Sequence, residues 1–164
     1  MSVRAARRDD VDAIHRFGEA YIREHYAPLI GAEAADAQVV RWWGVDVVGA
    51  AVADGLVVVA EVDGVVVGVG QRGRRGSDHV VYKLYTHPEH RGRGLGTELL
   101  DALARAVTAD RLFVEHFAAN ARAGAFYERE GFTVDRVEAS SSGDPALDVV
   151  WRSRAMPYRR SSPR

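Results

Sequence analysis

The hydrophobic and polar positions of this chain change period near residue 55, from a helical repeat to a strand-like one. Residues 3–6 read as a short strand. The acidic pair Asp9 and Asp10 then opens a helix in which Val11, Ile14, Phe17 and Tyr21 recur at helical spacing. That helix is expected to reach about His25 and to stop before Pro28. A second helical stretch covers about residues 34–53, with Val39, Val40, Trp43, Val47 and Val48 on its apolar side. Gly44 and Gly49 weaken it, which predicts a break into two pieces.

Strands begin after Gly55. Residues 57–62 and 65–69 flank Asp63-Gly64, a dipeptide that favours the positive-φ positions of a two-residue hairpin turn. Residues 71–78 are polar and basic and read as a loop. The pattern then predicts a strand over 80–86 and a helix over 97–107, with Leu95, Leu99, Leu100 and Leu103 on one face. A strand over 112–117 and a helix over 120–130 come next, the latter stopped by Gly131. Residues 132–138 and 147–154 form a closing hairpin across a Ser/Gly/Pro loop. This order predicts an α/β sandwich in a single domain over 1–156, with a flexible polar tail at 157–164.

Composition narrows the function classes. At 164 residues the chain is long enough to bury a core, and its 47% hydrophobic and 27% charged residues are ordinary for a globular protein. A net charge of −1 supplies no global field for nucleic acid or an anionic membrane. Without cysteine there is no disulfide framework, thiol nucleophile or thiolate metal site. No run of 18 apolar residues is present and the N-terminal segment lacks a signal peptide's apolar core, so the chain is read as cytoplasmic, with no membrane partner. No histidine pair has metal-ligand spacing, and no metal is expected.

The most informative stretch is residues 80–100. A β-branched and aromatic run meets Pro88, a loop with alternating glycines follows (Arg91, Gly92, Arg93, Gly94, Leu95, Gly96), and a leucine-rich helix begins near Thr97. A helix that opens out of a glycine turn presents unpaired N–H groups and the positive end of its dipole, which suits phosphate. Two phosphate motifs fail. No lysine follows Gly96, as a Walker loop requires, and Thr97 stands where a dinucleotide fingerprint needs its last glycine.

The pattern that fits is Arg/Gln-x-x-Gly-x-Gly/Ala, read at Arg91, Gly94 and Gly96. With the preceding strand and Pro88 it resembles the acyl-CoA pyrophosphate loop of the GCN5-related N-acetyltransferase (GNAT) family. A second segment resembles the family's Asn-x-x-Ala-x-x-x-Tyr-x-x-x-Gly-Phe, matched at Asn120, Ala123, Tyr127, Gly131 and Phe132. The resemblance implies the acyl-CoA N-acyltransferase fold, a mixed and mostly antiparallel sheet flanked by helices. It implies an N-acetyltransferase that moves acetyl from acetyl-CoA to an amine by direct attack in a ternary complex. The opposing reading is a non-catalytic acyl-CoA-binding module or sensor.

Residue roles follow from the resemblance. Arg91 to Thr97 would cradle the pyrophosphate. Leu84, Tyr85 and Thr86 would offer main-chain groups beside a bulged, splayed strand. Asn120, Ala123 and Phe126 would follow the pantetheine arm, since Asn120 and Tyr127 share a helical face about 10.5 Å long. Tyr127 would protonate the departing thiolate, or else simply pack or position the sulfur. A phenol near pKa 10 can protonate a thiolate near 8.5 at small cost.

Glu115 is the candidate general base, with His79, Tyr82, Lys83 or an ordered water as alternatives. The basic loop at 71–78 is either a solvated turn or a contact for the acceptor or the CoA 3′-phosphate. Small amines and protein amines both remain open as acceptors, and a homodimer is compatible with the family.

Overall fold

A computed structural model describes residues 2–158. Its strands are hydrogen-bonded in the order β1-β2-β3-β4-β5-β7-β6. They are β1 (Ser2–Ala5), β2 (Val57–Val62), β3 (Val65–Arg75), β4 (Asp78–Thr86), β5 (Arg111–Phe117), β6 (Thr133–Glu138) and β7 (Val149–Ala155). Pairing is antiparallel for β1/β2, β2/β3, β5/β7 and β6/β7 and parallel for β4/β5, so the fold is the expected mixed, mostly antiparallel sheet with helices. The residues group into two compact units. The first holds the described residues up to Gly73 with Tyr82–Ala106, and the second holds Arg74–Val81 with the described residues from Val107 onward.

In the first unit, α1 (Val11–Phe17) passes through a π-helical turn at Gly18–Ile22 into α2 (Arg23–Ile30). The helix does not stop before Pro28. Proline removes only one hydrogen bond from the last turn, while Tyr26 and Ile30 are buried around it, and Gly31 at φ 91° ends the run. The second helical stretch does break, into α3 (Ala32–Trp42) and α4 (Val45–Ala53), at Trp43 and Gly44. Asp63 and Gly64 both adopt positive φ, 50° and 77°, as the hairpin turn requires.

The polar segment at 71–78 is a correction. It is strand and tight turn rather than loop: the β2–β3 ladder continues through Val57↔Gln71, and the Arg72 N–H donates to the Leu56 carbonyl at 3.0 Å. Backbone pairing continued past the last buried valine, where side-chain hydrophobicity had stopped signalling it.

Helix α5 (Leu95–Arg105) anchors to this sheet through a cluster of Ala60, Val67, Leu95 and Leu99, with Val3, Val58, Val62 and Leu84 at its rim. Gly68 makes the approach possible, since a Cβ there would sit 3.0 Å from Leu99 Cδ1. Arg4 braces the β1 end by donating to Asp10 and Glu61, the former at 2.7 Å, and holds the Asp10 carboxyl below its usual range.

In the second unit, β5 pairs with β7 from Arg111↔Ala155 to Phe117↔Val149, and α6 (Ala121–Arg129) follows β5. The closing hairpin lies where the pattern put it. Most of the expected tail, residues 159–164, lies outside the described residues. Tyr158 packs under the Arg154 guanidinium, 4.3 Å from its ring centroid.

Candidate functional site

The first unit carries the glycine loop. After β4, residues Pro88–His90 form one 3₁₀ turn, held in part by the Glu89 N–H donating to His87 Nδ1 at 3.1 Å. Gly92 and Gly94 both take positive φ, 76° and 79°, and Gly94 caps α5 in the left-handed region. A Cβ on either glycine would meet nothing within 4 Å. Glycine is therefore required for backbone conformation, and the space above the loop is open. The helical ladder begins with the Glu98 N–H on the Gly94 carbonyl at 3.0 Å, so the N–H groups of Leu95 and Gly96 belong to the open end of the helix. With Arg91 and Arg93 alongside, this end fits an anionic diphosphate.

The end of β4 sits in an aromatic cluster. The Tyr85 and Tyr26 hydroxyls are hydrogen-bonded, and Tyr85 also meets His25 and Trp43, with ring centroids 6.1 and 5.6 Å away. Tyr21 bridges Phe17 and His87. Gly18, inside the π-helical turn, lets Trp43 lie against it: a Cβ there would be 2.7 Å from the indole. Trp43 is core at 2% exposure, whereas Trp42 is exposed with Arg41 stacked on it. Lys83 is buried and donates to the Trp42 carbonyl and to Gln71 Oε1, its ammonium 4.6 Å from the Trp43 ring centroid. Burial pulls its pKa down to about 8.

The second unit carries the Asn-to-Phe segment. Asn120 caps α6, its side chain accepting the Ala123 N–H at 3.2 Å. Tyr127 is 5% exposed and lies among His116, Phe126 and Phe132. Gly131 ends α6 at φ 90°, with Phe132 buried behind it. Glu115 and His116 point to opposite faces of β5, as strand alternation requires.

On one face Glu115 lies opposite Trp151 in the ladder, and its carboxyl is pushed up by burial, against the pull of Arg75 and with a push from Glu138. Arg75 itself is ion-paired with Glu138 at 2.9 Å. On the other face Arg152 Nε donates to His116 Nε2 at 3.1 Å, and burial lowers the His116 pKa.

With this geometry in view, a family model described as an acetyltransferase (GNAT) domain matches residues 53–134, half of the chain. The chain belongs to the GNAT acetyltransferase family. No curated protein matches it. Solved structures agree on the fold. The PaiA N-acetyltransferase of Thermoplasma acidophilum in complex with coenzyme A is 14% identical with a TM-score of 0.77, over 94% of this chain and 98% of that one. A GCN5-related N-acetyltransferase from Rhodopseudomonas palustris is 24% identical with a TM-score of 0.76, over 94% and 95%. YncA of Salmonella typhimurium with acetyl-CoA is 25% identical with a TM-score of 0.65, over 99% and 98%.

For this GNAT chain, the first unit brings together Leu84, Tyr85, Thr86 and the loop from Arg91 to Thr97 on one β-loop-α connection. The second brings together Glu115, Asn120, Ala123, Phe126 and Tyr127 on one strand-helix connection. The sequence reading missed the π-helical turn, the Tyr26–Tyr85 bond and the Arg152–His116 bond. A glycine inside an otherwise helical pattern, Gly18, was the one available signal for the first. The other two join residues 59 and 36 positions apart, beyond the reach of local pattern.

Proposed function

We propose that the chain is an N-acetyltransferase that moves acetyl from acetyl-CoA to an amine in a ternary complex. The observation that carries this reading is the open N-terminus of α5, hinged on two positive-φ glycines beside Arg91 and Arg93. A CoA pyrophosphate is the anion whose size and charge suit a loop of this kind within the GNAT family.

On this reading the thioester supplies the activated acyl group, and the chain supplies positioning and proton transfer. Main-chain groups of Leu84, Tyr85 and Thr86 polarise the acyl carbonyl. Asn120, Ala123 and Phe126 line the pantetheine arm. Glu115 takes a proton from the attacking ammonium, for which its raised pKa suits it. The amine nitrogen bonds to the acyl carbon, the carbon–sulfur bond breaks, Tyr127 Oη gives its proton to the departing sulfur, and the second proton shed by the acylated nitrogen returns to the Tyr127 phenolate.

A thiol-release assay with acetyl-CoA and a panel of small amines and peptide amines, run beside calorimetric titration of acetyl-CoA, tests the proposal. Amine-dependent release of CoA is expected. Tight binding with no amine-dependent release would make the chain an acyl-CoA sensor, and no binding would remove both readings.

A further inference from the structure

Tyr127 does not stand alone in the second unit. Its nearest polar ring is His116, with centroids 6.2 Å apart and planes inclined by only 22°. His116 is held at both nitrogens. Nε2 receives the Nε–H of Arg152 at 3.1 Å, and Nδ1 lies 2.9 Å from the Phe117 carbonyl. A guanidinium only donates, so Nε2 must accept and Nδ1 must carry the proton. The imidazole is thereby fixed as one neutral tautomer in one ring orientation.

The same pair also touches α6 directly. Gly124 lies three residues before Tyr127 and therefore on the same helical face. A Cβ at Gly124 would sit 3.2 Å from both Arg152 Nη2 and His116 Cε1. The missing side chain lets the Arg152–His116 pair close onto the helix, and the imidazole then continues to the phenol ring. Phe126 and Phe132 meet the same phenol edge-on, with centroids 5.4 and 5.7 Å away. Of these three rings His116 alone is pinned by directional hydrogen bonds; the two phenylalanines are held by packing.

We infer that His116, locked by Arg152 against Gly124, is a positioning residue for the Tyr127 hydroxyl. The inference rests on the reading of Tyr127 as the proton donor. Proton transfer needs heavy atoms within hydrogen-bond reach, and small displacements of a donor cost orders of magnitude in rate. A tyrosine ring on a short helix has two side-chain torsions to set. Stacking on a ring whose own plane is fixed by two hydrogen bonds restricts both, beside the edge-on packing of Phe126 and Phe132.

The test is a double-mutant cycle on kcat and on the KM for acetyl-CoA. His116→Phe keeps the ring and removes both hydrogen bonds. Arg152→Lys keeps the charge and removes the Nε donor. Each is expected to lower kcat about tenfold with the KM for acetyl-CoA changed less than about twofold. In a Tyr127→Phe background neither is expected to lower kcat further, because the group they position is gone. His116→Gln keeps an acceptor for Arg152 but has no ring to stack on the phenol, and is expected to lose kcat as His116→Phe does.

Equal losses in both backgrounds would overturn the inference, as would unchanged kcat in either single variant. Wild-type kcat in Tyr127→Phe alone would remove the proton-donor reading instead, so the two failures are separable. If His116→Phe does not fold, the Arg152→Lys cycle carries the same decision.

Discussion

The Lys83 ammonium on β4 donates to the Trp42 carbonyl at 2.5 Å, joining positions 41 residues apart at the point where α3 ends. Gln71 Oε1 takes a second bond at 2.9 Å and the Trp43 ring lies beneath. The group is satisfied but dry, and burial brings its pKa from 10.5 to about 8. Because the folded value is the lower one, the unfolded chain binds more protons between these values. The neutral form's stability is therefore present above pH 10.5 and is lost as pH falls through 8. Stability of the wild type relative to Lys83→Met is expected to rise by about 3 kcal/mol from pH 8 to 10.5, read by urea denaturation. A flat difference would show that the ammonium is not desolvated.

Glu115 has the opposite linkage. Burial raises its pKa, so the native state holds its proton longer than the unfolded chain. Its contribution is complete below the ordinary carboxylate pKa and is lost as pH rises through the raised value. Glu115→Gln is expected to be more stable than wild type at neutral pH by thermal melting. The same variant is expected to lose the acidic limb of the kcat profile if Glu115 accepts the amine proton, measured by CoA release across pH 5 to 8.

Gly94 has no room problem and a conformational one. Its φ of 79° costs any L residue about 1–2 kcal/mol, while the space above it is open. Gly94→Glu adds a carboxylate at the helix end proposed for the pyrophosphate. Loss of calorimetric acetyl-CoA binding with the fold intact by circular dichroism is expected. Retained affinity would sink the loop assignment.

Tyr127→Phe removes one oxygen from a buried ring and leaves its aromatic contacts in place. Turnover is expected to fall about 10²-fold with cofactor affinity little altered, the low end for general acid catalysis. Steady-state kinetics with unchanged kcat would return the residue to packing alone.

Gly18→Ala probes the π-helical turn. The added methyl would meet the buried Trp43 at 2.7 Å, so overpacking of about 1–3 kcal/mol is expected, seen as a lower denaturant midpoint and altered tryptophan fluorescence.

The sequence by itself determined the element order, the Asp63-Gly64 turn, the glycine-hinged start of α5 and the capped start of α6. Each depends on residues a few positions apart, where periodicity, turn chemistry and capping act. The resemblance carried by the Arg91, Gly94 and Gly96 loop together with the Asn120-to-Phe132 segment pointed to the family that the family model shows. Tertiary structure decided what local pattern does not encode. Strand pairing carried β3 through polar residues to Arg75, and buried Tyr26 and Ile30 carried α2 past Pro28.

The partners of the candidate groups were tertiary as well. Lys83 looked like one of several proton acceptors until its ammonium was found committed to Trp42 and Gln71. His116, the strand neighbour of Glu115, is placed against Tyr127 by Arg152 and Gly124, contacts that no local pattern signals. Such contacts join residues far apart in the chain, and hydrogen-bond direction and close packing, which only the folded chain brings about, decide them.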